Sequence, residues 1–232
     1  MAAYKGEKYI KAQIASVLPR LGERDELIIS DDCPRDSMRE IVSSFNDSRI
    51  KYIEGPGRGV IKNFENALNF CSGDIIFLCD QDDVWLEGKV EKCVKALNNG
   101  AILVLHDATV TDGELNVTED SFFSLHKSTL GFKKNILRNS YMGCCMAFRS
   151  ELKDTVLPFP DKLPMHDQWI GLCAEKTGRT EMIKEPLILY RRHGDNVTGG
   201  KTTLFQKISR RVNIIRALNS RLKGKDTCGG KI

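Results

Sequence analysis

One stretch limits the folds open to this chain: Gly73-Asp74-Ile75-Ile76-Phe77-Leu78-Cys79-Asp80-Gln81-Asp82-Asp83-Val84-Trp85. An unbroken apolar run, Ile75 to Cys79, ends in three carboxylates within four residues. A run without alternation reads as a strand buried on both faces, as in parallel sheets. The carboxyl ends of such strands are where open α/β sheets bind their ligands. Side chains two apart on extended backbone point the same way, so Asp80 and Asp82 are expected to face one pocket. Carboxylates this close repel one another unless a proton or a cation intervenes. A hard divalent ion such as Mg²⁺ or Mn²⁺ takes oxygen ligands and often shares them with phosphates. The stretch reads either as a metal–diphosphate site or as an acidic solvent loop after a core strand. Spacing alone leaves both open.

The flanking sequence repeats the strand–helix alternation. Glu7 to Leu18 carries Tyr9, Ile10, Ile14, Val17 and Leu18 at helical spacing, closed by Pro19 and Gly22. Glu26 to Ser30 is expected to be a strand running into Asp31-Asp32, a second acidic strand end. A helix through Phe45 follows, then a short strand from Arg49 to Glu54. Gly55-Pro56-Gly57-Arg58-Gly59 opens a helix over Val60 to Phe70. A glycine-rich turn before a helix resembles a phosphate cradle, although the spacing is not that of a P-loop or a dinucleotide fingerprint. Beyond the acidic stretch come a helix, Glu87 to Asn98, and a buried strand, Ala101 to His106. This alternation calls for a mostly parallel sheet with right-handed crossovers. From Asp112 to Lys134 the pattern weakens into a polar surface excursion. Further strands are expected at Tyr141–Phe148, Glu181–Ile183 and Leu187–Tyr190, with a helix from His166 to Lys176.

With 232 residues, the chain can hold one large α/β domain, expected over 1–200, and a short appendage over 201–232. The appendage contains a basic amphipathic helix, Thr202 to Lys223. Such a helix either docks on its own domain or makes peripheral contact with anionic lipid. The net charge of +4 is too mild to imply nucleic acid. The eight cysteines form no C-x-x-C pair and lie mainly in apolar runs, which fits buried thiols in a reducing compartment. No leader or membrane-spanning run is read, so the expected location is cytoplasmic, with peripheral contact at the inner membrane face. The sequons at Asn116 and Asn196 are then chance matches.

Five ordered blocks carry a resemblance: Ala3-Tyr4-Lys5-Gly6-Glu7-Lys8-Tyr9-Ile10, Ile29-Ser30-Asp31-Asp32, Phe77 to Trp85, His166-Asp167-Gln168-Trp169, and Tyr190-Arg191-Arg192-His193-Gly194-Asp195-Asn196. Together they resemble glycosyltransferase family 2, the inverting transferases of the GT-A fold, and the last block leans toward its rhamnosyltransferase-like bacterial branch. The resemblance implies a Rossmann-like central sheet and a nucleotide-diphosphate sugar, UDP- or dTDP-linked, bound over the strand ends. Asp32, with Asp31 beside it, would accept from the base, since a carboxylate suits an imide N–H. Ala3, Tyr4 and Glu7 would border the nucleoside. Arg58, Lys62 and Asn63 lie where the family places donor contacts, and Gln81 would join them. Asp80 and Asp82 match the family's DXD motif. Asp82 would ligate Mg²⁺ or Mn²⁺ most directly, and Asp80 would hold the ribose or the metal. Asp83 would cap the next helix or support the site.

Inversion needs one displacement and a base on the acceptor side. The resemblance gives that part to Asp167, whose position alone suits a helix cap equally well. His166 would orient Asp167 or touch the acceptor, and Trp169 would wall the acceptor pocket or pack in the core. Arg191 or a neighbouring cation would clamp the diphosphate, and His193 would approach the metal. The implied acceptor is a saccharide or lipid-linked hydroxyl in cell-surface polysaccharide synthesis. Against the family pattern, the apolar strand that normally precedes Ala3 is essentially missing, Lys5 stands for asparagine, and Ala3 for threonine or proline. A nucleotide-sugar-binding remnant without activity and a Mg²⁺-dependent nucleotidyltransferase are the alternatives.

Overall fold

The structure, a computed structural model, describes residues 1–194 and 203–222. Asp195, Asn196, Thr202, Lys223 and Cys228 lie outside them. Helices flank a sheet built in two parts. Strands β1 (Ala2–Ala3), β2 (Leu27–Asp31) and β3 (Ile50–Glu54) are parallel, in the order β1-β2-β3. The second part runs β4 (Ile75–Phe77), β8 (Met146–Arg149), β6 (Ala101–Thr111), β9 (Arg179–Arg191), β5 (Val84–Trp85), with β7 (Val117–Glu119) on β6. Within it β6 and β9 are parallel, while β8 is antiparallel to both β4 and β6. A parallel bridge, Ala2 to Asp80, joins the parts.

Burial explains the layout. All of β2 is buried and β6 nearly so, as expected of strands covered on both faces. Short as β1 is, its ladder groups are taken. The Met1 amine donates to Ile28 O at 2.6 Å, Ser30 N to Met1 O at 3.0 Å and Ala2 N to Cys79 O at 3.0 Å. The expected gap in the sheet is thus partly closed by residues 1–3.

Helix α1 (Ile10–Val17) buries Ile10, Ile14 and Val17, and α3 (Val60–Phe70) buries Phe64, Ala67 and Leu68, against this sheet. The helices α2 (Asp36–Ser43) and α4 (Lys89–Asn98) complete the first half. Helix α8 (His166–Thr177) is buried without a break from His166 to Ala174. A helix apolar all round belongs in the core, and its polar first turn is carried in with it.

Three expectations change. The run Tyr141–Phe148 is not one strand: a 3₁₀ turn over Gly143–Cys145 precedes β8. Asn139 exchanges hydrogen bonds with the Tyr141 backbone, which breaks the extended run before it starts. The two short strands after Thr180 are one, β9, with its register shifted near Pro186. The polar excursion holds β7, α5 (Phe122–His126) and α6 (Phe132–Leu137). Buried Asp107 ties it down, accepting from Phe123 N at 2.8 Å and from Ser121 Oγ at 2.5 Å. Helix α7 (Lys153–Val156) and the long α9 (Leu204–Leu222) finish the described chain, and α9 docks through Ile214 and Leu218.

Candidate active site

The end of β4 and the start of α8 come together, close enough for the charges of Asp82, Asp83 and Asp167 to act on Asp80. At the end of β2, both aspartates are already engaged. Asp31 accepts from Tyr52 Oη at 2.6 Å and from Cys33 N at 3.0 Å. Asp32 accepts from Gly57 N at 2.7 Å and from Gly59 N at 2.6 Å, one on each oxygen. The glycine-rich turn therefore aims two of its amides at Asp32, and the anion it cradles is part of the protein. Gly57 and Gly59 have φ of +66° and +85°, a backbone that favours glycine. Arg58 between them is exposed.

Asn63 is buried and acts as a clasp. Its amide donates to Ala3 O at 3.0 Å and Ser30 O at 2.9 Å, and accepts from Ser30 Oγ at 2.6 Å. It holds β1, β2 and α3 together and has no side-chain group left over for a ligand. Lys62 pairs with Glu65 at 2.6 Å and reaches Phe159 O. Glu7 accepts from Ser37 Oγ at 3.3 Å. Tyr4 is exposed, and its backbone is gripped by Gln81, which accepts from Tyr4 N at 2.8 Å and donates to Tyr4 O at 2.9 Å. A Cβ on Gly6 would lie 1.9 Å from Gln81 Oε1, so the clasp requires glycine there.

Beyond β4 the acidic residues divide. Asp80, Asp83 and Cys144 each bring one ligand atom within 4.8 Å of the others. Asp83 is buried; Oδ1 accepts from Arg191 N at 3.0 Å, while Oδ2 has no hydrogen-bond partner. Asp82 Oδ2 lies 2.8 Å from His193 Nε2. The His193 ring stacks on Tyr9 at 4.7 Å, and the Arg191 guanidinium sits over the same tyrosine at 4.8 Å. Arg191 also donates to Asp82 O at 2.8 Å and Gly113 O at 2.5 Å. Burial pushes the Asp80 carboxyl well up, and repulsion from Asp83, Asp82 and Asp167 adds to it. Burial and the Asp82 charge raise Asp83 to about 7. Helix α4 starts at Lys89 behind Gly88, so Asp83 does not cap it but belongs to the cluster.

On the other side, Asp167 Oδ1 accepts from Gln168 N at 2.5 Å and Asn139 Nδ2 at 3.2 Å. Burial raises this carboxyl to about 7, against the pull of those amides. The helix cap is Met165, so Asp167 stands inside the first turn and not at the cap. His166 does not orient it. The His166 ring stacks on Phe64 at 4.0 Å, both its nitrogens lack partners, and burial lowers its pKa to about 3. Trp169 walls no pocket: it is fully buried and donates to Val156 O at 2.9 Å.

Sequence reasoning missed Lys89, Cys144, Tyr9 and Asn139. Lys89 is fully buried, donates to Cys144 O at 2.7 Å and lies 4.4 Å from the Trp85 ring centroid. Its signal was its place in the first turn after the acidic stretch. Asn139 carried no signal.

A divalent cation is the group this fold implies, and the residues suit it. Asp80 and Asp83 offer hard carboxylate oxygens beside the softer Cys144 sulfur, Asp83 Oδ2 is buried and unpartnered, and the charges of Asp83, Asp82 and Asp167 repel Asp80. Among the described residues no helix is long and apolar enough to cross a membrane.

The chain is 27% identical over 221 residues to WfgD of Escherichia coli, a UDP-Glc:alpha-D-GlcNAc-diphosphoundecaprenol beta-1,3-glucosyltransferase, covering 93% of this chain and 83% of that one. It is 25% identical over 204 residues to an uncharacterized glycosyltransferase of Nostoc sp., covering 83% of this chain and 63% of that protein's length. The crystal structure of S. aureus TarS with UDP-GlcNAc superposes with a TM-score of 0.71 at 19% identity, covering 95% of this chain and 65% of that one. That likeness fixes the fold as the GT-A type expected from the sequence. Residues 1–157 match the family described as Glycosyl transferase family 2, which includes β1 to β8 and the whole acidic stretch, and the chain belongs to that family.

Proposed function

We propose that the chain is an inverting glycosyltransferase that moves a sugar from a nucleoside-diphosphate donor to a hydroxyl of a lipid-linked saccharide, in cell-surface polysaccharide synthesis. The observation that carries this reading is Asp167. Its carboxyl, raised to about 7, shares the pocket with Asp80, whose own carboxyl is raised in part by it. A base poised near neutrality beside a separate acidic cluster is the division of labour that single displacement needs. WfgD's named acceptor is a diphosphoundecaprenol-linked sugar, which supports the acceptor class. UDP in the TarS complex supports a pyrimidine carrier.

In the step, the acceptor oxygen attacks the anomeric carbon and its proton passes to Asp167. The bond from that carbon to the diphosphate oxygen breaks, and the electron pair leaves with the nucleoside diphosphate. Asn139 and the Gln168 amide hold the carboxylate in place. Tyr4, with its backbone gripped by Gln81, borders the nucleoside together with Ala3 and Glu7. Asp32 fixes the turn carrying Arg58, whose exposed cation suits a phosphate. Lys62 stands one turn further along α3. Asp82 and Asp80 would hold Mg²⁺ or Mn²⁺, with His193 beside Asp82. Such an ion supplies positive charge against the leaving diphosphate. Arg191 keeps the Asp82 and Asp83 segment seated.

The test is transfer from UDP- and dTDP-sugars to a polyprenyl-diphosphate-linked N-acetylglucosamine, with released nucleotide and product anomer identified. Nucleoside diphosphate and an inverted product are expected. Chelation should stop turnover, Mn²⁺ should restore it, and Asp82→Asn should remove that rescue. Pyrophosphate release would replace this reading with nucleotidyl transfer.

A further inference from the structure

Helix α9 has two apolar faces, and folding uses one. Ile214 and Leu218 are buried against the domain. Beside that face Phe205, Ile208, Val212 and Ile215 form a second stripe at three- and four-residue intervals, and they are 81%, 49%, 38% and 41% exposed. The stripe is continued by Leu137 at the end of α6, which is 64% exposed. Arg211 joins the two helices by donating to Leu137 O at 2.8 Å. The charged positions beside this patch carry one sign. Arg216 lies exposed next to the stripe on α9, Lys133 and Lys134 lie exposed on α6, and neither helix contains an acidic residue. A protein groove without an acidic rim would leave these cations unmatched. An anionic bilayer matches both parts, because apolar side chains enter the headgroup boundary while the cations meet phosphate.

We infer that the α6–α9 face is the surface by which this protein lies on an anionic membrane, and that it turns the Asp167 side of the pocket toward the bilayer. The orientation half of this inference rests on the proposed function. It comes from two ties. Two residues beyond Leu137, Asn139 donates to Asp167. At the far end of α9, Arg221 donates to Thr155 O, Leu157 O and Pro158 O, and its guanidinium lies 5.7 Å from the ring of Trp169, on the same helix as Asp167. A hydroxyl on a lipid-linked saccharide thus reaches the base from the side on which its lipid is anchored.

Vesicle flotation of the full chain tests this without donor or acceptor. The wild type should float with phosphatidylcholine vesicles containing phosphatidylglycerol, lose most binding at high salt, and ignore pure phosphatidylcholine. Phe205→Glu/Ile208→Glu/Ile215→Glu and Lys133→Glu/Arg216→Glu should each weaken binding about tenfold or more, with unfolding temperature unchanged. Asp167→Asn should float like the wild type, so loss of transfer and loss of membrane binding remain separable. Equal binding to neutral vesicles, no binding to anionic ones, or full binding by the triple variant overturns the inference. So does a wild-type dimer that ignores vesicles and becomes a monomer in the triple variant, because a second copy then covers the face.

Discussion

Replacing Asp167 by asparagine should make this protein more stable and inactive, and the gain in stability should grow with pH. The carboxyl is moved from 3.8 to about 7, with burial the main cause. Its folded-state pKa lies above its unfolded value, so ionisation opposes folding. Below pH 3.8 both states are protonated and the group costs nothing. The cost accumulates as pH rises from 3.8 toward 7 and is complete above it. At 1.36 kcal/mol per pH unit, the full penalty is about 4 kcal/mol, of which roughly 2–3 kcal/mol is added between pH 5 and pH 8. Asparagine resembles the protonated acid in shape and keeps an oxygen for Gln168 N and Asn139, so it escapes the penalty. For a chain of this length 1 kcal/mol corresponds to roughly 2–4 °C in Tm, so the variant's advantage should widen by about 5–10 °C over that range.

The assay is thermal unfolding by circular dichroism at pH 5, 6, 7 and 8, with wild type and variant in matched buffers. Transfer should meanwhile fall by about 10²–10⁴ at pH 7, the usual worth of a positioned base. A Tm difference that does not change with pH would show that the carboxyl is not held out of water as the structure has it. A variant that retained transfer within a few-fold would remove Asp167 from the base role, whatever its stability.

Two further variants probe the parts that surround the base. Gly6→Ala forces the Gln81 amide off Tyr4, because the new methyl would lie 1.9 Å from Oε1. Losing two hydrogen bonds of about 1 kcal/mol each should lower Tm by roughly 4–8 °C and weaken donor binding measured by calorimetry; unaltered affinity would remove the clasp from the donor site. Lys89→Met removes the buried cation that helps hold Asp83 below its burial-driven value, and should cost roughly 3 kcal/mol in urea unfolding. Adding Asp83→Asn should recover part of that loss, and strictly additive losses would refute electrostatic coupling between the two.

How much of this could be read in the chain follows from where each signal resides. Ile102–Leu105 lies buried within β6, whereas of Ile75–Cys79 only Ile75–Phe77 forms a strand, β4, half-buried at both ends and antiparallel to β8. Asp80, Asp82 and Asp167 were found through their blocks, and the pocket gathers them. What local sequence cannot carry is the partner at long range. Asp32 and the glycine turn were each read as waiting for a ligand, but they satisfy one another across 25 and 27 residues. Asn63 looked like a donor contact because an exposed amide and a buried clasp have the same letter. Lys89 looked like any lysine at a helix start, since only the folded pocket shows the carboxylates it faces. His193 meets Asp82 across 111 residues.

The same long-range contacts separate the roles of the acids. Asp80 is raised by burial and by the charges of Asp83, Asp82 and Asp167, and Asp83 by burial and by Asp82, against the opposing charges of the terminal amine at Asp80 and of Lys89 at Asp83. Their protonation is therefore a symptom of missing positive charge, and ligating a divalent ion would draw both carboxyls down. Asp167 is raised chiefly by burial, and its hydrogen-bond partners are neutral amides. A cation held at Asp82 and Asp80 would lower it far less than them. With the metal site filled, Asp167 becomes the acid least drawn down among the described residues of the cluster. The activity profile of the metal-loaded protein should then rise with a single apparent pKa above the ordinary carboxylate range, and Asp83→Asn should leave that limb in place.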